Sequence, residues 1–247
     1  MISMRTFVVL ACITIAACSA ERRGEQVAPA LDATDPEAAL AIVRAREDAV
    51  RTLRATFRAE VHARDESGEP SARAVGGVLL VRKPEDFRLR LTLPLGLTVF
   101  DYLARGERVS VVRPLARGDD PADFRSFSRE DLGQAFLRGG LAFPGTCAAR
   151  RRSSPWLVFD CLVGGAKLLR QIRVDPDTGR IAQERSFRNG HVRLLLEYDD
   201  FRAADGADLP HRILLVYPDE GVHVDIEVDR YEVNPVLAER LFEPAEP

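Results

Sequence analysis

The sequence predicts a mainly β protein with helices (α+β). Its core is one antiparallel sheet of about eleven strands, curved or closed so that few edges stay exposed. Three observations carry this reading. Apolar and polar residues alternate in steps of two through most of residues 57–228. The alternating runs are separated by short turn signals, which suits antiparallel neighbours better than long crossovers. Only two stretches have the three-to-four-residue apolar spacing of a surface helix.

Taken in order, the chain opens with Arg5 followed by an apolar run over 7–17. That run is shorter than the ~20 residues needed to span a bilayer, so residues 1–17 read as an export signal. Ile15-Ala16-Ala17-Cys18 stands where cleavage would occur and resembles the bacterial lipobox, whose cysteine is acylated and becomes the mature N-terminus. Ser19 after Cys18 resembles an outer-membrane rather than an inner-membrane address. Residues 18–35, rich in Ala, Glu, Arg and Pro without apolar periodicity, read as a tether. Residues 36–247 then form one domain, a size normal for an all-β unit with helices.

Asp35 is placed to cap a helix and Pro36 suits its first position. Ala39, Ile42, Val43, Ala49, Val50 and Leu53 form its apolar stripe. Strands are expected near 57–64, 74–83, 87–93, 98–103 and 109–112. The tip between the third and fourth is Pro94-Leu95-Gly96-Leu97, which puts leucines where a water-exposed turn usually carries Asn-Gly or Asp-Gly. A long polar connection over 114–127 follows, and Ser128-Arg129-Glu130-Asp131 can cap a second helix with Leu132, Ala135, Phe136 and Leu137 on its buried side. Strands resume near 156–163, 168–174, 181–187, 192–198, 209–217 and 222–228, with Asn189-Gly190 marking one hairpin. Arg150-Arg151-Arg152 reads as a basic loop.

Of four cysteines, Cys12 lies in the signal and Cys18 in the lipobox, leaving Cys147 and Cys161 in the mature fold. In an oxidising compartment an even pair reads as a disulfide, worth about 3 kcal/mol for a loop of about 15 residues; two free buried thiols are the alternative. A net charge of −3 disfavours a nucleic-acid binder. His62, His191, His211 and His223 are scattered without metal-motif spacing, and no nucleophile elbow, phosphate loop or dinucleotide glycine pattern occurs. No catalytic residue, metal or cofactor is expected.

The lipobox, tether, N-terminal amphipathic helix, antiparallel strands and helical insertion together resemble the LolA/LolB superfamily of lipoprotein carriers and acceptors, LolB-type most of all. The run Lys83-Pro84-Glu85-Asp86-Phe87-Arg88-Leu89 is similar to that family's text, as are Leu93-Pro94-Leu95-Gly96-Leu97-Thr98 at the hairpin tip, 137–145 at the lid, and Asn234-Pro235 with Leu241-Phe242-Glu243-Pro244 at the end. The resemblance implies an outer-membrane lipoprotein on the periplasmic face, anchored through acylated Cys18, that binds acyl chains of lipoprotein or lipid cargo and assists their insertion. It implies that the sheet curves into a half-open barrel under amphipathic lid helices, and it makes Leu95, with Leu97, the membrane contact. It also implies a periplasmic LolA-like carrier as partner, and the chain is expected to be a monomer. The barrel lining would be Phe57, Val61, Leu89, Leu91, Leu93, Val109, Val111, Leu194, Leu196, Ile213, Leu215, Val224 and Ile226. Alternation alone does not separate an open apolar pocket from a filled core, and the alternative function is a structural envelope lipoprotein that uses the barrel as a protein-interaction scaffold.

Overall fold

The computed structural model describes residues 35–64, 67–94, 96–106, 108–112, 136, 146–153, 155–163 and 167–244. The helix α1 (Pro36–Asp48) is followed by β1 (Thr52–Arg64), β2 (Pro70–Arg82), β3 (Asp86–Thr92), β4 (Thr98–Arg105) and β5 (Arg108–Val112). Then come β6 (Thr146–Ser153), β7 (Trp156–Val163), β8 (Lys167–Val174), β9 (Ile181–Arg188), β10 (His191–Ala204), β11 (Ala207–Tyr217), β12 (Val222–Val233) and a 3-10 turn over Glu239–Phe242. All twelve strands belong to one antiparallel sheet, ordered β5-β4-β3-β2-β1-β12-β11-β10-β9-β8-β7-β6. The sheet is unclosed, with β5 and β6 at its ends. Each half is a meander of neighbours, and the two halves meet where the first strand, β1, pairs with the last, β12, from Leu53 opposite Val233 to His62 opposite His223.

Two expectations are corrected, the number of strands and the end of the first helix, and the expected disulfide is present. The sheet has twelve strands rather than about eleven, because Arg150-Arg151-Arg152 lies within β6 and not in a loop. Cys147 faces Cys161 across β6 and β7, and the two form a disulfide. The opening helix ends at Asp48, so Leu53 belongs to β1. The cause is long-range. The Asn234 amide donates to the Ala49 carbonyl at 2.9 Å, and its oxygen accepts from the Arg51 and Thr52 backbone N–H groups. Lys83 Nζ donates to the Glu47 carbonyl at 2.7 Å. These contacts take up carbonyls that a longer helix would have used and turn the chain into β1. At the other end of α1 the Asp35 carboxylate accepts from Ala38 N at 3.0 Å, as the capping residue suggested.

The core lies on one face of the sheet. Alternating residues of β1 (Leu53, Ala55, Phe57, Ala59, Val61), of β3 (Phe87, Leu89, Leu91) and of β12 (Val224, Ile226, Val228) join Ala39, Leu40 and Val43 of α1 in a single buried cluster. We call this the inner face. On the outer face a small second cluster, Leu80, Leu103 and Phe242, is covered by the 3-10 turn. Beside it Arg88 donates to both carboxylate oxygens of Asp101, at 2.9 and 2.7 Å, and to the carbonyls of Leu241 and Glu243, while Arg90 adds a bond to Asp101 at 2.8 Å. This network fastens the chain's end to the β3–β4 hairpin.

Burial pushes the Asp101 carboxyl upward, but its hydrogen bonds to Arg88 and Arg90, with their charge, hold it below its ordinary value. A lowered folded value stabilises the protein at neutral pH and ceases to do so as pH falls through it. Asp101→Asn is therefore expected to cost about 1.5–3 kcal/mol in denaturant unfolding at pH 7. The gap to the parent should narrow below the ordinary carboxylate range, ~4. An equal gap at both pH values would show that Asp101 acts by packing alone.

Candidate functional site: the apolar inner face

The inner face holds an apolar cavity of about 30 Å³, lined by Phe57, Ala59, Val61, Val75, Leu89, Leu91, Phe136, Leu215, Val224 and Ile226. Every lining residue is apolar. A single water needs ~10–15 Å³ of such space, so the cavity holds one or two small groups and not an acyl chain. Phe136 is buried over it, its ring centroid 5.1 Å from that of Phe57. Phe57 in turn lies across Gly77, where a Cβ atom would fall 2.1 Å from the ring. The glycine is what lets an aromatic ring lie flat on the neighbouring strand.

Seven residues expected to line the barrel do line this cavity: Phe57, Val61, Leu89, Leu91, Leu215, Val224 and Ile226. Leu194, Leu196 and Ile213 are buried in the same inner-face cluster away from it, and Leu93 is partly buried against that cluster. Val109 and Val111 do not line it. They pair with Ala104 and Tyr102 but are 54% and 45% exposed, because among the described residues β5 is an end strand with a sheet neighbour on one side only. Leu97 at the hairpin tip is 54% exposed. The tip is a tight turn with Gly96 at φ 78° and a bond from Leu93 N to Leu97 O at 2.9 Å. Leu95, Cys18, and the helix and lid expected over 128–145 lie outside the described residues, Phe136 excepted.

Pattern reading missed a charged group on the inner face. Glu184 is fully buried, accepts from the Tyr198 hydroxyl at 3.1 Å and stands 3.8 Å from Arg170 Nε. Burial, reinforced by the Glu184 charge, pushes the Tyr198 hydroxyl well above its ordinary value, so it stays protonated and donates. The period failed here because β9 carries an extra residue. Val174 faces Ile181 while Arg173 faces Gln183, which turns Glu184 inward where strict alternation from Ile181 would turn it out. The inner face thus has an apolar half, on β1–β3, β11 and β12, and a half containing a buried ion pair on β8 and β9.

The fold is similar to those of several solved structures. A LolA-superfamily protein from Nitrosomonas europaea is similar over 83% of this chain and 97% of its own, at a TM-score of 0.60 and 14% identity. A DUF1329 family protein from Desulfovibrio piger matches 84% of this chain and 96% of its own, with a TM-score of 0.58 and 13% identity. A putative outer membrane lipoprotein-sorting protein domain from Vibrio parahaemolyticus covers 83% of this chain and 94% of its own, at 0.52 and 12%. No protein-family model and no curated protein matches the chain. What the chain shares with the LolA-superfamily protein is its fold, here a large unclosed antiparallel sheet. At these identities the likeness is one of fold, and it matches the expectation of a LolA/LolB-like sheet.

Gly77→Ala is expected to push the Phe57 ring towards Phe136 and to lower stability by about 1–3 kcal/mol. Gly76→Ala is the control, since its Cβ would meet Thr92 Oγ1 at 3.3 Å and no ring. Urea unfolding of both variants checks this. Equal losses would mean that Phe57 is not seated on Gly77.

Proposed function

We propose that this protein is a lipid-anchored carrier or acceptor of acyl chains at the outer membrane, held there through acylated Cys18 and facing the periplasm. The observation that supports this best is the wholly apolar cavity of the inner face, covered by the ring of Phe136. The cargo is the acyl moiety of a lipoprotein or lipid, received from a periplasmic LolA-like carrier, and no chemical step is involved. An acyl chain leaving water contributes ~0.8 kcal/mol per methylene, and to enter it must displace Phe136 from Phe57. The β3–β4 hairpin then contributes twice. Leu89 and Leu91 form part of the cavity wall, while Leu97, joined by Leu95 in this reading, meets the bilayer at the exposed tip.

The small volume of the cavity favours one other reading, a structural envelope lipoprotein whose inner face is only a core. Displacement of a fluorescent fatty acid from the full chain in mild detergent separates the two. A carrier binds the probe, and Phe136→Ala binds it several-fold more tightly because the chain no longer has to move the ring. If neither form binds, the scaffold reading stands and the carrier reading fails.

Leu97→Glu is expected to leave acyl binding intact and to slow cargo transfer into liposomes by roughly tenfold, since a carboxylate at the tip opposes entry into the bilayer. Parent-like transfer would remove the tip from the mechanism.

A further inference from the structure

The outer face of the β1–β12 seam carries a cluster that the inner face does not explain. His62 and His223 stand directly opposite each other, on the first and last strands, with ring planes 13° apart and centroids 4.4 Å apart. Glu60 and Asp225 form the next pair on the same face. One ligand atom each from His62, His223 and Asp225 lies within 4.8 Å of the other two. His62 Nε2 is 4.0 Å from Asp225 Oδ2 and 3.7 Å from Glu60 Oε2.

The geometry points to a divalent transition-metal site of the zinc class, bridging β1 and β12 through His62, His223 and Asp225. Two imidazoles and a carboxylate are a donor set that zinc accepts readily, and copper(II) and nickel(II) share the preference for imidazole. A tetrahedral ion with bonds of roughly 2.0–2.1 Å needs its ligand atoms about 3.4 Å apart. Closing from 4.8 Å takes side-chain rotation only, because the backbone already sets the three residues side by side. The site is partly open to solvent, so ligands can turn and water can complete the coordination. Charge is balanced as well. A dication with Asp225 leaves one positive charge, which Glu60 beside His62 offsets. Arg212, whose guanidinium is 3.8 Å from Asp225 Oδ1, is the competing cation, and it is exposed and able to swing away while Oδ2 faces His62. A metal here would clip together the two halves of the sheet across the pairing that joins them. The cluster lies on the face opposite the apolar cavity, so a metal would bind there regardless of what the inner face holds.

The test uses the full chain in detergent, stripped with a chelator and titrated with zinc by calorimetry. The parent should bind one ion with micromolar Kd, and His62→Ala and His223→Ala should each bind roughly tenfold or more weakly. At about a hundred times the parent's Kd, zinc should raise the parent's melting temperature by about 5–10 °C and that of each variant by half as much or less. Should an alanine variant melt lower without metal, glutamine at the same position retains bulk and polarity while removing the imidazole ligand. Binding unchanged in both variants would place the metal elsewhere and overturn the site. Absence of saturable binding by the parent up to about millimolar zinc would overturn it equally.

Discussion

A single sheet face this wide and this apolar has to be kept from water, and most of the structure follows from how that is done. Fully burying one Leu, Val or Phe side chain contributes about 1.5–3 kcal/mol, and the inner-face cluster runs unbroken from Phe87 and Tyr102 on one half to Phe159 and Cys161 on the other. The sheet covers much of itself in this way, with α1 and Phe136 closing part of the remainder. The cavity between Phe57 and Phe136 is about 30 Å³. Packed interiors give up space only when a side chain moves, so enlarging this cavity means moving rings such as Phe136 and Phe57.

The same constraint explains why the two ends of the inner face differ in character. Around β1, β2, β3, β11 and β12 the lining is apolar throughout. Around β8 and β9 it contains Arg170, Glu184 and Tyr198, held together by a hydrogen bond and an ion pair. A buried pair of this kind does little for net stability but strongly disfavours arrangements that separate it. It lies across β8 and β9 close to the bulge that breaks the alternation.

How far the sequence reveals this depends on how local each signal is. Period-two alternation in β1, β3 and β12 placed Phe57, Val61, Leu89, Leu91, Val224 and Ile226 on the buried face, because one-sided burial writes itself directly into that period. Turn chemistry was equally readable. Asn189 and Gly190 both adopt positive φ at the predicted hairpin, and Asp35 caps α1. The end of α1 was not readable, since Asn234 and Lys83 set it from far along the chain. Strand β6 was hidden by three consecutive arginines, and the exposure of Val109 and Val111 follows from their position at a sheet end. The stacking of His62 on His223 was invisible for the same reason. Each alternates onto the outer face of its own strand, but their meeting depends on which strands pair.

That pairing has a consequence in time as well as in space. Arg58 on β1 and Asp229 on β12 bond across the seam although 171 residues separate them in sequence. Until β12 has been made and delivered, β1 has a free edge and the first five strands present half of an apolar face with nothing opposite it. Closing so distant a contact is slow by comparison with forming the neighbouring hairpins, and an open edge on a central strand is an invitation to other chains. The protein therefore spends its most vulnerable interval with its middle missing rather than its ends, and whatever shields the nascent chain has to cover β1.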